Sequence, residues 1–182
     1  MVHLMFPVRY RVHDIMVSME NVYPKIFSLE EARALMPVLR DLLRSAKADL
    51  GERGELLHLY NERLKQEEEV LDNLILENSS LSEPEKYDRY LGQQKQCRAT
   101  EIELSRSQQE YVDRADHWVN LILQHGVILR DLSKGLLDFP AKKGSLTYFL
   151  CWTPEEEDIA YWHLTTEGFV NRKNFASLEE YF

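Results

Sequence analysis

Two hydrophobic periods divide this chain. From Leu29 onward apolar residues recur every seven positions, at Leu29, Met36, Leu43, Leu50, Leu57, Leu64 and Leu71. A second series, offset by three, runs Ala32, Leu39, Ala46, Arg53, Tyr60, Glu67 and Leu74. These are the a and d positions of a coiled coil, and they predict a helix over 28–77. Ser28-Leu29-Glu30-Glu31 opens it as a capping box, in which serine oxygen and glutamate carboxylate each take an amide of the first turn. Gly51 and Gly54 argue for a turn, since glycine costs about 1 kcal/mol against alanine in a helix. A turn has no reason to preserve heptad phase, so one continuous helix is the preferred reading. Pro37 lacks an amide and is expected to bend the third turn.

Asn78-Ser79-Ser80-Leu81-Ser82 is the expected hairpin turn, and Ser82, Pro84 and Glu85 start a return helix. On it Tyr90, Cys97, Leu104, Tyr111, Trp118 and His125 recur every seven, with Gln94, Glu101, Gln108, Ala115 and Ile122 as companions. Folded antiparallel, Leu64 meets Cys97, Leu57 meets Leu104 and Leu50 meets Tyr111. The alternate layers pair Glu67 with Gln94, Arg53 with Gln108 and Leu39 with Ile122. From Arg53 outward these alternate layers are polar. From Ala46 inward they are apolar, and Leu35, Leu42, Val119 and Leu123 widen that end enough to pack on a sheet.

After Gly126, read as the glycine that ends the return helix, the period drops to two. Strands are expected at Val127–Asp131, Leu136–Phe139, Leu146–Trp152 and Ile159–Leu164, with a hairpin turn at 141–144. Thr153–Asp158 reads as an acidic loop, and Phe175–Phe182 as a short terminal helix or tail. The expected fold class is α+β: a long antiparallel helical hairpin (coiled coil) with a small, mainly antiparallel β-sheet packed at its base. The domain reading is an N-terminal extension over 1–24, a single domain over 25–175 and a tail over 176–182. Within the domain, 28–125 form the helical hairpin and 126–172 the sheet region.

Composition narrows the partners. A formal net charge of −9 with scattered basic residues argues against nucleic acid, which needs a concentrated basic surface. No stretch has the length and apolarity to span a bilayer. The apolar run Met1–Val8 is broken by His3 and Pro7 and lacks the marks of a signal peptide, so the cytoplasm is the expected location. There Cys97 and Cys151 read as two free thiols rather than a disulfide.

Several short runs stand out in the sheet region: Gly126-x-x-x-Arg130-Asp131, Gly135-Leu136-Leu137-Asp138-Phe139-Pro140, Leu150-Cys151-Trp152, Trp162-His163 and Gly168-Phe169-x-x-Arg172. With Phe27-Ser28-Leu29-Glu30-Glu31-Ala32 and Pro37, they resemble an uncharacterised prokaryotic family, domain of unknown function 2203, over about Ile26 to Lys173. The chain departs from that pattern at Glu155-Glu156, where the family carries Gly-Glu. The resemblance implies a shared fold and no activity.

Asp131, Asp138, Glu156 and His163 are the candidate metal ligands or acid–base groups, with Cys151 nearby, because carboxylates and imidazole bind divalent metals and move protons near neutral pH. Against this, Asp131 and Asp138 are also turn-capping residues by position, and His163 reads as a satisfied strand histidine. Trp152 and Trp162 read as core. If Trp152 lies opposite Ile159 and Asp138 opposite Thr147, then Asp138 and His163 fall on opposite faces; a one-residue slip reverses this. Arg172 is expected to bridge one of Asp131, Asp138 or Glu156, the other reading being contact with an anionic ligand. No strong catalytic motif is present, and no cofactor is predicted apart from a divalent metal at the candidate positions. The leading functional expectation is a non-enzymatic interaction or scaffold protein that self-associates, as a homodimer, through its hairpin and sheet. A protein partner other than itself is the further possibility. The rival is a small metal- or ligand-binding enzyme with its site on the sheet.

Overall fold

The computed structural model describes residue 23 and residues 25–76 and 81–181. Helix α1 runs from Leu29 to Leu76 without a break, through Pro37, Gly51 and Gly54. Its start is the expected capping box: the Glu31 amide donates to Ser28 Oγ at 3.1 Å, and the Ser28 amide to Glu31 Oε2 at 2.9 Å. Helix α2 runs from Glu83 to Leu123, and the Ser82 amide and hydroxyl both donate to Glu85 Oε2 ahead of it. The two helices pack against each other. The extension Met1–Asn21 and most of the expected turn, Asn78–Ser80, lie outside the described residues.

Among the described residues two compact units emerge, one made of those up to Lys47 and from Asp116 onward, the other of those between Ala48 and Ala115. Within 48–115 the heptads of α1 and the Cys97, Leu104, Tyr111 series of α2 turn inward, as expected. The companion series holds at Ala115 and Ile122, which are buried, and needs correction at its other three positions. Gln94, Glu101 and Gln108 are exposed, whereas Thr100 and Ser107 are buried and Gln93 is half-buried. Glu67 accordingly bonds Gln96 Nε2 at 3.0 Å, and its carbonyl accepts from Gln93 at 2.9 Å, in place of a layer with Gln94. Both stripes alternate spacings of three and four, and the one adopted puts the small side chains Thr100 and Ser107 inside. Asp49 binds Arg114 at 2.8 Å and Arg53 at 3.0 Å, so the layer at Arg53 is braced by paired charges.

In the other unit, five antiparallel strands follow one another in chain order: β1 (Ile128–Asp131), β2 (Leu136–Lys143), β3 (Leu146–Trp152), β4 (Tyr161–Leu164) and β5 (Lys173–Asn174). The last is a two-residue strand that no periodicity announces. One face of the sheet carries Leu129, Leu137, Phe139, Leu150, Trp152 and Trp162, packed on Ala32, Met36, Leu39, Leu43 and Ile122. Trp152 and Trp162 are therefore core, as expected. Leu178 joins them from a terminal 3-10 helix, Phe175–Tyr181. The chain enters along the free part of β2, where the Phe27 amide donates to the Pro140 carbonyl at 2.7 Å.

The turn between β2 and β3 differs from expectation. Lys143 faces Leu146, so only Gly144 and Ser145 connect the strands, and Gly144 takes a φ of 59°. A positive φ at the first loop residue suits a tight two-residue hairpin, which lets β2 extend through Ala141–Lys143. Gly135 also has positive φ, at 65°, but there a Cβ would come within 2.8 Å of Pro154 Cγ and 3.2 Å of Leu43 Cδ1. At Gly144 nothing lies within 4 Å. We expect Gly144→Ala to lose about 1 kcal/mol from the backbone alone. Gly135→Ala should lose about 3 kcal/mol, because a collision adds to the strain. Urea denaturation of the two variants checks the difference; equal losses would contradict it.

Candidate functional site

Strand parity builds the site. Asp138 stands opposite Cys151 across β2 and β3, and Phe149 opposite His163 across β3 and β4. Phe149 and Cys151 are two residues apart, so Asp138, Cys151 and His163 share one face, the one turned away from the apolar core. The conditional register that separated Asp138 from His163 is thus not the one adopted. The tight Gly144-Ser145 turn shifts Asp138 from Thr147 to Cys151, an even shift that keeps its face; the change of face comes from the pairing of β3 with β4. At the other hairpin Ile159 is drawn into the core, 1% exposed, and leaves the strand, so that Tyr161 rather than Ile159 begins the pairing.

All three side chains are sealed from solvent, at 0% for Asp138 and Cys151 and 1% for His163. Their potential ligand atoms lie within 4.8 Å of one another, the one such group of metal-binding residue types among the described residues. Asp138 Oδ2 accepts from Arg130 Nε at 2.7 Å and sits 3.2 Å from His163 Nε2. Asp138 Oδ1 is buried with no hydrogen-bond partner. The other imidazole nitrogen, His163 Nδ1, lies 2.8 Å from the Leu164 carbonyl, which can only accept, so Nδ1 carries a proton. That leaves Nε2 aimed at a carboxylate. Two acceptors face each other there unless a proton or a cation stands between them.

With a proton, the pair is imidazolium and carboxylate. Burial would lower the His163 pKa, but the bonds to Asp138 and the Leu164 carbonyl, with the Asp138 charge, outweigh it and leave the pKa raised. Burial pushes the Cys151 thiol up, and the negative charge of Asp138 beside it pushes it further; the thiol's own hydrogen bond goes to the Phe149 carbonyl at 3.8 Å. The same three residue types make up a thiol-protease triad, but a sealed thiol held in its neutral form is a poor nucleophile. The three residues are also of the types that could hold a divalent cation. It would take the lone pair of Nε2 and the orphaned Oδ1, and it would draw the proton off the thiol.

Of the other candidates, Asp131 is not in this group. Its Oδ1 accepts from Ser133 Oγ at 2.6 Å and the Lys134 amide at 3.1 Å, capping the turn before Gly135. Glu156 and Arg172 pair with each other, Nη1 to Oε1 at 2.6 Å, and both charges reach the Cys151 thiol. This is the structural bridge expected of Arg172, and its guanidinium also stacks between Tyr161 and Phe169, 4.2 Å from each ring. Glu156 also accepts from the Thr153 amide at 3.0 Å, and its carbonyl takes Arg40 Nη2 and Trp152 Nε1, each at 3.0 Å. Side chains from α1 and β3 thus hold the loop that departs from the family pattern at Glu155. Arg33 of α1 adds a two-pronged bond to Asp158.

Arg130 is the site residue that sequence reasoning did not single out. It stands in the quoted run beside Asp131; Asp138 lies opposite Ile128, and Arg130, two residues on at a break in the β1–β2 register, reaches it from there. Its guanidinium stacks 4.9 Å over the Phe149 ring, whose edge also meets Tyr23 and His163.

The runs that carry these side chains lie within the region matched by one family model, that of an uncharacterized conserved protein, DUF2203, over residues 25–175. The chain belongs to this family. Comparisons with curated proteins and with solved structures find no match. This DUF2203 member therefore has to be read from its own geometry. Among its described residues no helix is long and apolar enough to cross a membrane.

The Arg172 bridge gives a direct test. Its side chain is 26% exposed and that of Glu156 19%, between a surface pair and a sealed one. Arg172→Ala should cost about 2 kcal/mol, and Arg172→Lys should recover only part, because an ammonium cannot stack between two rings and reach a carboxylate with a flat fork. Chemical denaturation measures both. A lysine variant as stable as the parent would show that charge alone accounts for the contact.

Proposed function

We propose that this protein is a small metal-binding enzyme whose ion is held by Asp138, Cys151 and His163 on the outer face of the sheet. The observation that carries the reading is the orphaned, fully buried Asp138 Oδ1 within a group that also presents an imidazole nitrogen and a thiol. Buried polar atoms without partners are rare, and an ion is one way to satisfy them. One nitrogen, one sulfur and one oxygen donor suit zinc or a neighbouring first-row ion and not magnesium or calcium, which take oxygen. The imidazole is braced through its other nitrogen by a backbone carbonyl, as metal-bound histidines usually are. Three protein donors also leave a coordination position for an exogenous ligand, the arrangement of catalytic rather than structural zinc. Two buried, unpaired thiols are compatible with a reducing cytoplasm.

Elemental analysis of the protein purified without added chelator should find close to one zinc, iron or cobalt ion per chain. Asp138→Asn and Cys151→Ser should each lower occupancy by about tenfold or more, and chelator should lower the melting temperature of the parent only. Protein that arrives metal-free and takes up neither zinc nor cobalt on titration would remove the proposal.

A second reading, self-association, is favoured by apolar side chains left in solvent within residues 48–115. Leu59 is 65% exposed and Ile102 55%, joined by Leu56, Ile75 and Leu76. On this reading two hairpins pair as a four-helix coiled-coil assembly, giving a homodimer. Sedimentation equilibrium should then report a dimer at tens of micromolar, shifting to monomer in Leu59→Glu; a monomeric parent would dismiss it.

A further inference from the structure

Arg130 is the one member of the buried group that reaches water, with its side chain 36% exposed while that of Asp138 is at 0%. Its Nε is fixed by Asp138 Oδ2 at 2.7 Å, and its flat face rests on Phe149. The guanidinium is thereby oriented before anything binds. Neither terminal nitrogen has a hydrogen-bond partner among the described residues, so two N–H groups in fork geometry remain free on the solvent side. Most of the other arginines around this sheet are spent on partners: Arg33 on Asp158, Arg40 on two carbonyls, Arg172 on Glu156.

Charge points the same way. With a divalent ion in place, one carboxylate and one thiolate offset it, and the Arg130 guanidinium is left over as one net positive charge. Glu156 does not supply the balance, because Arg172 already holds it. Excess charge beside a sealed group is costly unless a counter-ion arrives. This happens in a chain of net charge −9, where a local excess of positive charge stands against the general trend.

We infer that the site takes a small oxyanion, a carboxylate or a phosphate group, gripped by the two free terminal nitrogens of Arg130 and completing the metal's coordination. The inference rests on the metal reading above and names the class of ligand for that same site. A guanidinium fork matches the paired oxygens of either group, whereas an ammonium offers only a point charge. Asp138 thus has two roles, as a donor to the ion and as the anchor that aims Arg130.

The test uses full-length protein loaded with cobalt(II), whose visible spectrum reports any new ligand. Inorganic phosphate and acetate are titrated separately, which distinguishes the two oxyanion classes, and calorimetry gives the affinities. One or both should bind saturably and change the cobalt spectrum. Arg130→Gln should weaken that binding by at least about tenfold at unchanged cobalt content. Arg130→Lys keeps a positive charge beside Asp138, so it remains informative if the glutamine variant fails to fold, and it should weaken binding severalfold. Cobalt uptake with no spectral response to either anion, or with equal affinities in parent and lysine variant, would overturn the inference and leave the metal site standing. A protein that takes up no cobalt would overturn both.

Discussion

A carboxylate removed from water must find its compensation inside the protein, and Asp138 sets that requirement for the whole sheet. At 0% exposure it sits in the central part of β2, with a strand on either side. An isolated charge there would be prohibitive, whereas a paired and hydrogen-bonded one is tolerable. β1 supplies Arg130, β4 supplies His163 and β3 supplies Cys151. The demand of one side chain thus reaches every neighbouring strand, and a shift of one residue in any of three pairings would leave it unmet.

The sheet has two faces with different tasks. Phe139, Leu150, Trp152 and Trp162 bury one face against the helices, and there shape alone is at stake. On the other face apolar cover comes mainly from Phe149, which meets Tyr23, His163 and Arg130 on its ring. That aromatic shell lowers the local dielectric, so that each polar contact in the group is stronger and each missing one more costly. A polar group of this kind, partly unsatisfied, is the sort of local inconsistency in which function is usually found.

The helices were the legible part of the sequence. Heptad phase persisted through Gly51 and Gly54 because residues at Leu50, Leu57 and Leu64 keep facing a partner, and the helix follows that phase. The companion stripe of α2 is right at Ala115 and Ile122 but misplaced from Gln108 back to Gln94, since Thr100 and Ser107 are polar and give no hydrophobic signal although they are buried. Strand positions were legible within a few residues. Register was not, because it hangs on whether Gly144-Ser145 or a longer stretch makes the turn, and on whether Ile159 belongs to the strand or to the core. The first choice moves Asp138 by four residues and keeps its face; the second slips β4 by one residue and so decides whether His163 shares that face. So the residue types of the site could be named from sequence, while their convergence could not, and Arg130 was hidden in a strand with no periodic pattern of its own.

The chain-order arrangement of the sheet carries a consequence for how the protein is made. Arg130, Asp138, Cys151 and His163 lie on four successive strands, each joined to the next by a local connection. The whole group can therefore be assembled by zipping neighbouring hairpins, without closing the long loop through both helices. Once the segment through His163 has left the ribosome, every participant is at hand. A nascent chain with this layout completes the group only when the last of the four strands pairs.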